Sequence, residues 1–360
     1  MTNSGSVGQN EAVFLRGNAY ERGREQAAAG NIDLAAVRAS TVGRIEKARN
    51  DGLLDGRAES YLRQQWEFHE AQDAELLQEV RGIADAFALD PGDLFAHLHF
   101  ALLERLKQTG SRETDGCSTW AVSASADGPL LAKNRDTSGP DYGTQRVFFH
   151  EGPDVGAGTM LCIGSLGNPG AYSSGINAWG FVVADTHVIP PSVNVGWHRY
   201  FLMTKLLMTC RTVGEALGII EGTVHAGGGT LMLADSEGGV AAVDFSGPRA
   251  YVTRGTVCWR TNHYPGTGEA PVADAVDASS TRRFAFLERE LPGRFWSVDD
   301  AKALMASHVA EGPGSLCQHR EKAGSVTLST AIYACRSRKL TFSHGNPCSA
   351  HWGAYELEAR

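Results

Sequence analysis

Positive charge is scarce in this 360-residue chain: 33 Lys and Arg stand against 41 Asp and Glu, a formal net charge of −8. That balance disfavours any general affinity for nucleic acid or an anionic membrane surface. Arg336, Arg338 and Lys339 form the densest basic group, and a solvated strand end or turn accounts for them. Long apolar runs are missing too: no stretch approaches the ~18 residues that a membrane-spanning helix needs. The opening MTNSGSVGQNEAVFLRGNAY lacks a basic segment leading into an apolar one, so no secretory signal is expected. Paired cysteines are absent as well. Cys117, Cys162, Cys210, Cys258, Cys317, Cys335 and Cys348 are odd in number, widely scattered and without a CxxC, which suits neither a disulfide framework nor a zinc ribbon. The expectation is a cytoplasmic protein that needs no metal and no cofactor. With 42 % hydrophobic and 21 % charged residues, the chain has an ordinary globular composition.

The first ~110 residues read as helical. Tyr20 to Asn50 is rich in helix formers, and Leu62, Trp66, Leu76, Val80, Ile83 and Phe87 fall on one helical stripe. Asp90-Pro91 opens a third helix, with Asp as cap and Pro at the first position, whose buried face is Phe95, Leu98, Leu102 and Leu106. Gln108 to Gly116 is short and polar, as an exposed linker would be. Beyond it the period changes. Ser118–Ser125, Leu130–Asn134, Arg146–His150, Thr159–Ile163, Phe181–Ala184 and Thr230–Ala234 read as strands. Asp127-Gly128 and Glu237-Gly238-Gly239 supply hairpin turns. Helices are expected over Trp197–Thr209, Ala216–Ile220, Thr281–Leu291 and Ser297–Ala306, and strands after Val326.

The change of character falls at Asp115-Gly116-Cys117-Ser118. Gly116 has no side chain to obstruct attack on its own carbonyl, and glycine tolerates the strained turn such attack needs. The Cys117 thiol can add to that carbonyl, shift the acyl group from nitrogen to sulfur, and lose the upstream segment to water. Cys117 would then carry a free α-amine titrating near ~7.7–8, suited to act as general base toward its own thiol. On the local residues alone, a small buried cysteine at a strand start explains Cys117 as well.

DGCSTWAVSASADGPLLAKNRD resembles the processed-strand signature of the acyl-coenzyme A:6-aminopenicillanate acyltransferase family, and is more distantly similar to the choloylglycine hydrolases. GNAYERGREQAAAG, GINAWGFVV, RTNHYPG and SSTRRFAFLE follow the family's further segments in order along nearly the whole chain. The resemblance implies an α+β fold: a four-layer αββα N-terminal-nucleophile hydrolase sandwich of two antiparallel sheets behind a helical front segment. Residues 1–116 would be the propeptide or α fragment and 117–360 the catalytic β fragment, the two staying associated after cleavage between Gly116 and Cys117.

Residue by residue, the resemblance makes Cys117 the nucleophile, Asp136 the carboxylate that holds its amine and thiol in register, and Asn262 the oxyanion-hole amide. Arg283, in the Ser-Ser-x-x-Arg segment, would be the fixed cation, with Arg282 able to exchange roles with it. Asn134, Asn177, Asp185 and His187 would sit on the substrate side, although Asn177 reads equally as a turn residue in the left-handed conformation. Lys133 stands where the bile-salt amidases have Arg, keeping the charge without the bidentate geometry. Partners would be a small amide or acyl donor, plus an amine acceptor if the reaction is a transfer; a homo-oligomer is compatible with all of this.

Two other readings compete. A papain-like thiol hydrolase would pair Cys117 with His263, but its cysteine belongs at a helix start, where the dipole favours thiolate. A binding protein on the same fold would have no use for Cys117, Asp136, Asn262 and Arg283 together. His97-x-His99 lacks metal-binding spacing on a helix, His69-Glu70 lacks the second His of HExxH, and no GxSxG is present. Tyr172, Trp179, Phe148 and Phe149 suit either an acyl pocket or plain core.

Overall fold

The computed structural model describes residues 12–107, 116–137, 143–266, 277–308, 315–319 and 325–358. Most of the proposed linker, 108–115, lies outside the described residues. The front segment holds strand β1 (Val13–Arg16) and helices α1 (Ala19–Glu25), α2 (Leu34–Ser40), α3 (Val42–Asn50), α4 (Gly56–Phe87), α5 (Pro91–Leu98) and α6 (Phe100–Leu106). After Cys117 come β2 (Ser118–Val122), β3 (Leu130–Thr137), β4 (Gln145–Glu151), β5 (Thr159–Ser165), β6 (Ser174–Asn177) and β7 (Val182–Thr186). Helices α7 (Arg199–Thr209) and α8 (Val213–Glu221) lead into β8 (Thr230–Ala234), β9 (Val240–Ser246), β10 (Arg249–Arg254) and β11 (Val257–Arg260). The chain continues through α9 (Ala278–Glu290), α10 (Val298–Met305), β12 (Val326–Ala334), β13 (Lys339–His344) and β14 (Trp352–Glu356).

Local chemistry sets these boundaries. The stretch expected to be one helix from Tyr20 to Asn50 is broken, because Asp33 accepts from the Ala35 and Ala36 amides and so starts α2 afresh. Asp55 caps α4 in the same way, and Asp90 with Pro91 opens α5 as expected. Gly128 and Gly238 adopt φ of 87° and 101° in the two turns assigned to them, a region that side chains disfavour.

The strands form two sheets. The eight-stranded sheet runs β1-β4-β5-β6-β7-β8-β9-β10 and the six-stranded sheet runs β11-β2-β3-β12-β13-β14. Among the described residues, all strand pairings are antiparallel except that of β1 with β4. The helical front segment therefore also contributes an edge strand, which its short, half-exposed sequence did not advertise.

Three of the hydrophobic clusters among the described residues define four layers. Leu76, Val80, Ile83, Phe95, Phe201 and Leu206 pack helices of the front segment and α7 on the outer face of the eight-stranded sheet. Small and medium side chains, among them Ala121, Leu131, Ile163, Ala184, Met232 and Ala331, fill the space between the sheets. Trp120, Ala132, Leu287, Trp296, Met305 and Ile332 join the six-stranded sheet to α9 and α10. The expected αββα sandwich is thus the observed architecture. Neighbouring side chains of β2 serve different layers, Trp120 the outer and Ala121 the inner, so the strand is buried on both faces. Trp120 also packs against Trp296, ring centres 5.0 Å apart and planes tilted by 47°; a buried ring of this size is worth ~3–5 kcal/mol against Ala. No helix among the described residues is long and apolar enough to cross a membrane.

Candidate active site

Cys117 immediately precedes β2, at the end of a central strand pair. The β2–β3 register sets Ser118 opposite Asn134, which carries Cys117 toward Asp136 near the end of β3. The Cys117 Sγ lies 3.8 Å from the Asp136 carbonyl oxygen, and Cys117 is buried. Asp136 faces β12, where the paired Thr327 donates its hydroxyl to Oδ1 at 2.6 Å. Gln318 Nε2 donates to the other oxygen, Oδ2, at 2.8 Å. Burial pushes the Asp136 carboxyl up to about 7, against the opposing influence of Arg283 and these hydrogen bonds.

Gln318 does more than hold Asp136. Its Nε2 also donates to the Gly116 carbonyl oxygen at 3.0 Å, and its Oε1 accepts from Ser325 at 2.6 Å, which fixes which end of the amide is the nitrogen. A Cβ at position 116 would meet Gln318 Nε2 at 2.3 Å and Asp136 Oδ2 at 3.0 Å. Only glycine leaves that carbonyl in the amide's reach.

The opposite wall is built from α9. Asp277 caps the helix through the Ser280 amide, and the second turn then directs Arg283 at the start of β2. Arg283 is fully buried, whereas Arg282 is exposed and bonds its own helix at Ala278 O. Of the two arginines, Arg283 is the one that faces the start of β2. Its Nη1 donates to the Cys117 carbonyl at 2.6 Å and to Ser118 Oγ at 2.9 Å; its Nη2 donates to Asn262 Oδ1 at 2.9 Å. Burial pulls the guanidinium below its ordinary value, with Asp136 and Cys117 opposing, but a guanidinium stays charged.

Arg283 can only donate and the His187 carbonyl can only accept, so the Asn262 amide is oriented without ambiguity: Nδ2 donates to His187 O at 3.0 Å. An amide nitrogen carries two hydrogens, and this contact uses one. Behind His187 lies an ionic knot. Lys133 Nζ reaches Asp185 Oδ1, the Asp185 carbonyl at 2.7 Å and Ser173 O at 3.1 Å. Arg199 Nε takes Asp185 Oδ2 at 3.0 Å, and its Nη2 lies 3.3 Å from His187 Nδ1. Burial alone would raise the Asp185 carboxyl; Lys133 and Arg199 outweigh it and hold the group below its ordinary value. Lys133 thus works as a point charge with three acceptor atoms on two residues, a task that does not need a bidentate fork.

Other residues expected on the substrate side have different surroundings. Asn134 donates to Met305 O at 3.0 Å and Leu316 O at 2.8 Å and accepts from Thr330 at 2.6 Å, so its amide joins β3 to α10 and to the approach to Gln318. Asn177 donates to Leu207 O and Cys210 O and accepts from the amides of Trp179 and Phe181, which is turn work; the left-handed residue there is Gly180, with φ of 86°. His263 directs Nδ1 to Ser280 Oγ at 2.8 Å, and Cys117 precedes a strand, so the papain-like arrangement has no helix dipole to use. Of the aromatics, Phe148 is core, while Tyr172 is half-buried beneath Arg135 and against Tyr200.

Sequence reasoning missed Gln318, Thr327 and Arg199. Lys133 was noticed only as a departure. Gln318 and Thr327 reach the site from more than 180 positions away along the chain, and no local pattern marks them.

Three solved structures are similar to this chain in fold. A mutant and a second variant of conjugated bile acid hydrolase from Clostridium perfringens match with TM-scores of 0.44 and 0.43, each at 10 % identity; the matches cover 67 % and 68 % of this chain and 97 % and 98 % of theirs. Penicillin V acylase from Agrobacterium tumefaciens matches with a TM-score of 0.41 at 14 % identity, over 67 % of this chain and 86 % of that one. No curated protein matches the chain in sequence. The family model for acyl-coenzyme A:6-aminopenicillanic acid acyl-transferase matches residues 123–349, a span that begins just beyond Cys117 and contains Asp136, Asn262 and Arg283. The chain belongs to the acyl-coenzyme A:6-aminopenicillanic acid acyl-transferase family.

Proposed function

We propose that this enzyme is a cysteine amidohydrolase that cleaves itself between Gly116 and Cys117 and then opens the amide bond of a small N-acyl compound through an acyl-thioester on Cys117. The observation that carries the reading is a pair of amide donors tied to the Gly116–Cys117 backbone, one directly and one through Arg283. Gln318 Nε2 sits on the Gly116 carbonyl, and Asn262, its Oδ1 held by Arg283 and one Nδ2 hydrogen given to His187 O, has a second hydrogen to give.

Each donor fits one reaction. In self-cleavage the Cys117 sulfur bonds to the Gly116 carbonyl carbon, and negative charge develops on the oxygen that Gln318 holds. The carbon–nitrogen bond breaks, nitrogen takes the proton, and water then releases Gly116 as a carboxylate. In turnover the α-amine takes the thiol proton, sulfur attacks the substrate carbonyl, and Asn262 donates to the oxyanion. One such donor lowers a barrier by ~2.7–4 kcal/mol. The proton passes to the departing amine, and water resolves the thioester. Asp136, beside the new ammonium, would favour its charged form and be ionised by it in turn.

Acyl transfer to an amine is the second reading, favoured by the family to which the chain belongs; only the species that resolves the thioester differs. After cleavage the fragments would remain together, because β1 pairs with β4 and α4 and α5 share the large core with the sheet. A working thiol suits a reducing compartment, and we place the enzyme in the cytoplasm.

Denaturing gels test this directly. The purified protein should resolve into two fragments, the larger beginning Cys-Ser-Thr-Trp, and Cys117→Ala should stay whole and inactive. An intact chain that hydrolyses N-acyl amides would refute self-processing, and a Cys117→Ala protein that still cleaves would refute the nucleophile.

A further inference from the structure

Four side chains that the proposed chemistry does not use converge beside Gln318: His308, Cys317, His319 and Cys348, each offering one ligand atom within 4.8 Å of the others. His308 Nε2 and His319 Nε2 are 3.1 Å apart. His319 Nε2 lies 3.6 Å from Cys317 Sγ and 3.4 Å from Cys348 Sγ, and the two sulfurs are separated by 3.6 Å. Zinc binds thiolate at about 2.3 Å and imidazole at about 2.0–2.1 Å, so the edges of its tetrahedron are about 3.3 Å for N···N, about 3.6 Å for N···S and about 3.8 Å for S···S. All four measured edges fall close to those values. We infer that His308, Cys317, His319 and Cys348 form a structural zinc site.

The chemistry of the donor set agrees. Two thiolates and two imidazoles in a closed tetrahedron suit Zn²⁺ over the hard cations, which take oxygen ligands. On binding, both thiols lose their protons to solvent and no electrons move, so the two thiolates balance the ion's charge. Asn346 Nδ2 points at Cys317 Sγ from 3.7 Å and holds the Gln318 carbonyl at 2.8 Å, as an outer donor steadying a thiolate would. A disulfide between Cys317 and Cys348 would account for the sulfurs but not for two imidazoles meeting at the same point.

The position gives the ion a task. His308 follows α10, Cys317 and His319 precede β12, and Cys348 lies between β13 and β14, so one ion fastens three separate pieces of chain. Gln318 sits between two of the ligands and carries the Gly116 and Asp136 contacts. Loss of zinc should therefore slow self-cleavage, a consequence that rests on the function proposed above; the metal site itself does not.

The Cys117→Ala chain, untagged and purified without added metal, separates the two questions. Elemental analysis should find one equivalent of zinc, and Cys348→Ser or His308→Ala should lose it. Asn346→Leu should weaken zinc binding ~10–100-fold. Cobalt(II) added to metal-stripped protein should give the intense visible bands of a tetrahedral thiolate site, whatever the state of the cleavage reaction. Folded protein that stays free of zinc when zinc is supplied, weak octahedral cobalt bands, or a Cys317–Cys348 disulfide in freshly purified protein would each overturn the proposal. If zinc is confirmed and its removal leaves cleavage of the parent chain unchanged, the link to Gln318 is overturned and the site stands.

Discussion

Asp136 and Asp185 are almost equally buried, at 2 % and 5 % exposed, yet they are held in opposite states. Asp185 touches two cations, Lys133 and Arg199, and is kept below the ordinary carboxylate range. The groups that bond the Asp136 carboxyl directly are neutral, the Thr327 hydroxyl and the Gln318 amide, and it is pushed up to about 7. Burial opposes the charged form of both; a cation in contact decides the outcome. One strand arranges the difference, since Lys133 and Asp136 are an odd number of residues apart on β3 and so project from opposite faces. Asp185 is an anchor whose charge is already balanced. Asp136 is a carboxyl whose direct partners are neutral, and under the proposed self-cleavage the amine freed at Cys117 would bring a further cation to it.

The comparison breaks most visibly at the anchor. Asp185→Ala in the Cys117→Ala background leaves Lys133 and Arg199 facing each other without an anion, and removing one partner of a buried ion pair costs ~3–5 kcal/mol. Denaturant unfolding at pH 8 should show that loss. A change below 1 kcal/mol would mean that Asp185 is not the balanced partner described here.

Removing the ionisable carboxyl at Asp136 should act with the opposite sign. Its folded pKa of about 7 lies above the ordinary 3.8, so between those values the unfolded chain sheds a proton that the folded chain keeps. Stability therefore falls as pH rises from about 4 to about 7 and is level beyond, by at most about 4 kcal/mol. Asp136→Asn imitates the neutral carboxyl. In the Cys117→Ala background it should match its parent near pH 4 and be the more stable protein at pH 8, while in the parent chain the same change should slow cleavage. Equal pH profiles for Asp136→Asn and its parent would show that Asp136 is ionised throughout, like Asp185.

The sequence made one side of this comparison easier to read than the other. Period-2 stretches such as Ser118–Ser125 and Leu130–Asn134 and the cap at Asp90 are local signals, and the elements formed where they pointed, the first strand ending at Val122. The strands β9, β10 and β11 escaped because small, polar and charged residues interrupt their alternation, and β6 because it is four residues of Ser-Gly-Ile-Asn. Cys117, Asp136, Asn262 and Arg283 were legible through family segments that stay contiguous. Gln318 and Thr327 were not, since their role exists only once β12 pairs with β3. The cluster at His308, Cys317, His319 and Cys348 was hidden for the same reason: three separate pieces of chain supply it, and scattered spacing argued against a metal until the fold closed.

The smallest effect offers the finest test of how Asp136 is held. Thr327→Val keeps the shape of the side chain and removes a hydroxyl that donates to Asp136 Oδ1 and accepts from the backbone N–H of Gln318 at 2.8 Å. The unpaired Gln318 amide costs the same at every pH, and cancels when one variant is compared across pH. What remains is the hydrogen bond to Asp136, worth ~1.5–3 kcal/mol to a charged group and ~0.5–1.5 kcal/mol to a neutral one. In the uncleaved Cys117→Ala background the variant should therefore lose about 1 kcal/mol more at pH 8 than at pH 4, and the midpoint of its stability–pH curve should move upward. That direction follows because weakening the bond to the carboxylate favours the proton still further. A loss that is constant across pH would mean that the hydroxyl serves the Gln318 backbone alone, leaving Gln318 Nε2 as the donor that tunes Asp136.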